Sequence, residues 1–122
     1  MSVVWVFVGG GLGSVARYAT GRLVPLADLT AGDFPWATLV ANLLACGLLG
    51  IGLALSVREV LGRDAQLLLL TGFCGGFSTF STYVLEVFRL AEDGYWGVAA
   101  LYFLVSTLGG LLAFGLLYWL TR

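Results

Sequence analysis

A chain of 122 residues that is 60% hydrophobic and only 11% charged carries more apolar surface than a soluble domain of that length can hide. Its solvent is therefore lipid; a net charge of −1 says nothing about nucleic acid, and with no lysine and no basic patch no nucleic-acid partner is expected. There is no histidine, and Cys46 and Cys74 sit inside uncharged runs, so they read as small apolar filler and not as a disulfide framework or metal site.

Charged residues cluster at Arg17/Arg22, Asp28/Asp33, Arg58 to Asp64, Glu86 to Asp93 and Arg122, leaving uncharged runs over 2–16, 34–57, 65–85 and 94–121. A membrane helix needs roughly 20 mostly apolar residues. Three runs reach that length directly. The first does so by continuing through Tyr18, Ala19 and Leu23, with Arg17 and Arg22 reaching back to the headgroups. It lacks a basic leader region and three more spans follow, so it reads as a true span and not a cleaved signal. The expected fold is an all-α integral membrane protein, one domain over 1–122 with four transmembrane helices at about 3–24, 35–57, 65–91 and 95–120.

In the first helix Gly9 and Gly13 are four apart, a spacing that suits close helix packing. The second repeats small residues at Cys46, Gly50 and Ala54 and holds Asn42, the chain's only asparagine. An amide in lipid needs a partner: it either ties two helices together, worth about 0.6 to 2 kcal/mol, or donates to a passing ion. The fourth helix carries Gly109 and Ala113 four apart, and hydroxyls at Tyr102, Ser106 and Thr107.

The third run contains GFCGGFSTFSTY, residues 72–83. Adjacent Gly75 and Gly76 weaken a helix by about 1 kcal/mol each, which predicts a break near the middle of the span. In lipid a break is tolerable only where it is buried in protein or lines a wet cavity. Exposed carbonyls at such a break suit a cation and free amides suit an anion, and Ser78 or Thr79 can cap the second half-helix. Beyond the break, Ser78, Thr82 and Glu86 are spaced i, i+4, i+8 and share one helical face; Phe80 and Tyr83 share a neighbouring one. Ring edges are electropositive, so rings and hydroxyls together can replace the water around a small anion. A fixed Arg or Lys at that depth would hold the anion too tightly to release it.

Four spans place both termini on one side with Arg58, Arg63 and Arg122, against Arg17, Arg22 and Arg89 on the other. Orientation follows the Lys/Arg bias of short loops, and three against three gives no bias. That favours insertion both ways up and an antiparallel dual-topology homodimer.

The chain resembles the Fluc-type fluoride channels, the CrcB family, over essentially its whole length. GGGLGSVARY in helix 1, PWATLVANLLACGLLG in helix 2 and GFCGGFSTFSTY in helix 3 carry the likeness, the last most specifically. The resemblance implies an antiparallel homodimer with two pores along its interface. It implies a structural Na+ at the dimer centre, held by backbone carbonyls mapping to Gly75 and Ser78. It implies pore aromatics at Phe80 and Tyr83, a pore amide at Asn42, and a hydroxyl track through Thr82, Tyr102 and Ser106. Glu86 maps to an acidic vestibule residue and Arg17 to a helix-1 arginine with a role in vestibule electrostatics or helix docking. The family usually has Phe where Tyr83 stands, TTFSTF for STFSTY and FGTL for WATL.

The expected activity is passive, selective export of fluoride through the cell membrane by a multi-pass protein that is not an enzyme. There is no nucleotide motif, no paired carboxylates at depth and no nucleophile–base pair. The competing function is a small dual-topology proton-coupled multidrug exporter. Such a transporter needs an ionisable carboxylate within the membrane, which helix 1 lacks, and Glu86 lies near a helix end.

Overall fold

The computed structural model describes residues 1–122, all of them in helices, short turns or loops with no strand. Helix α1 runs Ser2–Leu23, a 3₁₀ turn occupies Leu29–Ala31, and α2 runs Trp36–Val57. A helical stretch over 63–77, here α3, is followed by α4 at Phe80–Glu92 and α5 at Trp96–Thr121. Within α3, Leu67–Cys74 is wound as a π-helix between α-helical Arg63–Gln66 and Gly75–Phe77.

Local chemistry sets the ends. Val24 is extended ahead of Pro25, as a residue preceding proline prefers, and α1 stops there. Pro35 stands at the start of α2, where its missing N–H costs nothing. Between them the Asp28 carboxylate accepts from the Thr30 amide at 3.0 Å and from its hydroxyl at 2.5 Å. The Thr30 hydroxyl holds the Asp28 carboxyl below its ordinary range. Gly32, at φ 78°, turns the chain under the Tyr95 ring, whose Cδ1 would lie 2.6 Å from an added Cβ. The loop is thereby closed against the start of α5.

Two helix pairs form the body, each joined through glycine. Gly9 and Gly13 of α1 press on the carbonyls of Leu68 and Phe73, while Gly72 and Gly76 of α3 press on Gly9 and Gly10. In α2 and α5, Gly50 lies against the Phe114 backbone, Gly109 against Leu43 and Gly110 against Cys46. In both pairs the contacts climb the two sequences together. So α1 runs parallel to α3, and α2 parallel to α5. The widened π turns of α3 lie where its backbone comes closest to that of α1.

Little is enclosed. One cluster gathers Leu39, Tyr83, Leu90, Ala99 and Tyr102; a smaller one gathers Ala41, Ala45 and Phe77. Only 19 of 122 residues are buried, while Leu111, Leu112, Leu116 and Leu120 of α5 and Phe7 and Val15 of α1 stand exposed. A surface of that kind is stable only against lipid or another protein. Trp36–Val57, Arg63–Glu92 and Trp96–Thr121 are long and apolar enough to cross a membrane. That is three helical stretches where the sequence suggested four. Helix α1 is as long as α2, but its glycines and two arginines lower its apolarity.

Candidate functional site at the interruption between α3 and α4

The glycine pair is not where the helix departs from its path. Gly75 has φ −63° and ψ −37°, and helical backbone continues to Phe77. Extended backbone falls instead on Ser78, at φ −76° and ψ 156°, and Thr79, at φ −145° and ψ 116°. Three side chains hold it there. The Thr79 hydroxyl caps α4 by accepting from the Thr82 amide at 3.2 Å. The Ser78 hydroxyl donates back to the Cys74 carbonyl at 3.0 Å, as does its amide. Asn42 of α2 pairs with the Thr79 backbone on both sides: Oδ1 accepts from its N–H at 2.7 Å, and Nδ2 donates to its carbonyl at 3.2 Å.

These bonds redirect two amides. In an unbroken helix the Thr79 amide would go to the Gly75 carbonyl and the Thr82 amide to the Ser78 carbonyl. Here they go to Asn42 Oδ1 and Thr79 Oγ1, so both carbonyls lose their usual donors. Gly76 has a packing role, since its Cα faces the Gly10 backbone with no room for a side chain; Gly75 is exposed, with nothing within 4 Å of an added Cβ.

Beside the interruption lies an open-sided groove of about 250 Å³, lined by Asn42, Ser78, Thr79, Phe80, Tyr83 and Ser106, with Cys46 and Thr107 at its margin. Phe80 and Tyr83 have ring centroids 5.9 Å apart, and Tyr83 meets Tyr102 edge-on at 5.2 Å. The Tyr83 and Ser106 hydroxyls are both buried without a hydrogen-bond partner. An unsatisfied buried hydroxyl costs about 1–3 kcal/mol. The groove wall carries hydroxyls, an amide and aromatic rings, and no charged side chain.

A second polar cluster lies deeper along α4. Glu86 Oε1 accepts from the Thr38 hydroxyl at 2.7 Å, and Oε2 from the Tyr102 hydroxyl at 2.6 Å. The carboxylate thus ties α4 to both α2 and α5.

Of the residues singled out from sequence, Asn42, Ser78, Phe80, Tyr83 and Ser106 come together at the groove. Glu86 and Tyr102 are bonded to each other instead of lining it. Thr82 contributes its backbone amide to the cap, and Arg17 lies apart on α1. Gly75 and Ser78 share a separate pocket of about 150 Å³. Sequence reasoning missed Thr38, although it precedes Asn42 by one helical turn and so shares its face. It also missed the backbone of Thr79 as the partner of Asn42.

No group of three or more His, Cys, Asp or Glu side chains is placed to hold a metal. The donors that fit a cation are the Gly75 and Ser78 carbonyls. They are hard oxygens at the negative end of α3, suited to an alkali ion.

Apolar helices around an interrupted one, with an uncharged polar groove at the interruption, define a helical integral membrane protein. The chain belongs to the family described as CrcB-like protein, Camphor Resistance (CrcB), whose model matches residues 4–117. It is 46% identical over 113 residues to a fluoride-specific ion channel FluC of Chlorobium chlorochromatii, covering 91% of this chain and 84% of that protein. It is 39% identical over 116 residues to one of Bacteroides fragilis, covering 91% and 88%. With a Phocaeicola vulgatus relative of the same description it shares 36% over 121 residues, 99% of this chain and 98% of the relative.

Proposed function

We propose that this protein is a fluoride-selective channel of the cell membrane, through which fluoride leaves passively down its electrochemical gradient. The carrying observation is the groove at the interruption, where Asn42, Ser78, Phe80, Tyr83 and Ser106 converge without a charged side chain. Ring edges and O–H groups substitute for an anion's water, and the lack of a fixed cation lets it move on. Hydrogen fluoride enters cells as a neutral acid and dissociates inside; a selective pore releases the trapped ion without fuel. The family and its named relatives support the same reading and make an enzyme role inapplicable. The exporter alternative is disfavoured, because both oxygens of Glu86, the one carboxylate in the body of a span, are engaged by Thr38 and Tyr102.

The assembly we propose is a single domain of four spans, with the third interrupted mid-membrane, paired as an antiparallel dual-topology homodimer with two pores. Parallel packing of α1 on spanning α3 supports a fourth crossing, since a helix lying along a span shares its depth. Phe80 supports pairing: it walls the groove yet is 77% exposed in one copy. Balanced arginines support insertion both ways up. A Na+ ion at the dimer centre would be held by the Gly75 and Ser78 carbonyls of both copies, where it would stabilise the paired interruptions. Thr82, Tyr102 and Ser106 continue the hydroxyl track, with Glu86 and Arg17 towards the mouth.

The test is ion efflux from liposomes holding the purified protein, with fluoride compared against chloride. Fluoride efflux with no measurable chloride efflux is expected, and rapid chloride loss would refute selectivity. Phe80→Ile removes a ring edge worth about 0.5–1.5 kcal/mol. It should slow fluoride efflux by roughly tenfold while the protein elutes at an unchanged size. Undiminished flux would take that ring out of the pathway.

A further inference from the structure

We infer that Asn42 is a positioning residue for the cation site, acting through the backbone of Thr79, in addition to any contact it makes with the anion. The inference rests on the cation site proposed above. An amide side chain presents one acceptor and two N–H donors. In Asn42 the acceptor takes the Thr79 N–H at 2.7 Å and one donor reaches the Thr79 carbonyl at 3.2 Å, so the side chain imitates a strand partner for a single residue. That pairing holds Thr79 at φ −145°, outside helical geometry. It is also what keeps the Thr79 amide away from the Gly75 carbonyl, its partner in a continuous helix. A free Gly75 carbonyl is therefore produced by a side chain 33 positions earlier, on another helix.

Removing the amide has a definite consequence. In lipid an unpaired N–H is costly, so the Thr79 amide would return to the nearest acceptor, the Gly75 carbonyl. The turn would tighten towards helix and the carbonyl would be consumed. The second Asn42 N–H stays available to the groove that Asn42 lines. One side chain thus links the oxygens proposed for the cation to the wall proposed for the anion.

The experiment follows the thermal unfolding midpoint of the purified full-length protein as Na+ replaces N-methylglucamine, for wild type, Asn42→Ala and Asn42→Asp. Aspartate keeps an oxygen for the Thr79 N–H and loses only the donor. Losing an outer partner of a metal site typically weakens affinity about 10- to 100-fold. Asn42→Ala should need that much more Na+ to reach half its stabilisation, while Asn42→Asp should respond near the wild-type concentration. An alanine variant that responds at the wild-type concentration would overturn the inference with the cation site intact. If the alanine variant does not fold, Asn42→Leu, which fills the same space and lacks the acceptor for the Thr79 N–H, takes its place with the same two outcomes. A wild type indifferent to Na+ would instead remove the cation site, and this inference with it.

Discussion

Tyr83 is the residue at which this chain's groove departs from two plain rings. Its ring is 8% exposed, packed edge-on to Tyr102, and its hydroxyl is buried with no partner within the chain. Removing an unsatisfied hydroxyl while keeping the ring is neutral or stabilising by about 1 kcal/mol. Tyr83→Phe should therefore leave the unfolding midpoint unchanged or raise it, and differential scanning fluorimetry reads this directly. A clear fall would mean that the hydroxyl is bonded in the assembled protein, to the ion or to a second copy. Glu86 is the opposite case. Each oxygen has a donor, so the carboxylate serves as a clasp between α2, α4 and α5.

Among the elements, the α1–α3 seam makes the sharpest forecast. Gly13 faces the Phe73 carbonyl and Gly76 the Gly10 carbonyl, both too close for a methyl group, whereas Gly11 and Gly75 have open space beside them. Overpacking typically costs about 1–3 kcal/mol. Gly13→Ala and Gly76→Ala should lower stability by that amount. Gly11→Ala and Gly75→Ala should be neutral, or gain up to about 1 kcal/mol from helix propensity. Chemical unfolding of the four variants side by side is the measurement, and equal effects would contradict the seam. The helices themselves were legible in the sequence, because charge-free runs bounded by arginines and acids report lipid burial directly. A break was expected at Gly75 and Gly76, whereas the extended backbone falls on Ser78 and Thr79. Gly75 and Gly76 advertised flexibility, but Gly76 is small for the sake of Gly10, and the extended residues are the two that Asn42 and the Thr79 cap hold out. Propensity is a local quantity, and a bond spanning 37 positions leaves no local trace. The same limit hid Thr38 and the bonds by which it and Tyr102 hold Glu86.

For the molecule as a whole, orientation is the quantity to perturb. In the proposed four-span arrangement three arginines on each side leave the inserted direction undecided, and two lysines added to the 58–62 turn would decide it. Reporter fusions at the C-terminus should then shift from mixed to one-sided location, and fluoride tolerance of expressing cells should fall. Co-expression with a variant biased the other way should restore tolerance; tolerance unaffected by the bias would dismiss inverted pairing. The parallel seam also bears on how the protein is made. The surface α1 needs lies on 63–77, beyond all of α2. On the proposed fourth crossing, a newly inserted α1, with its row of bare glycines, waits in the bilayer while some forty intervening residues emerge from the ribosome at about 5–20 per second. During those seconds its glycine face is open to the wrong neighbour.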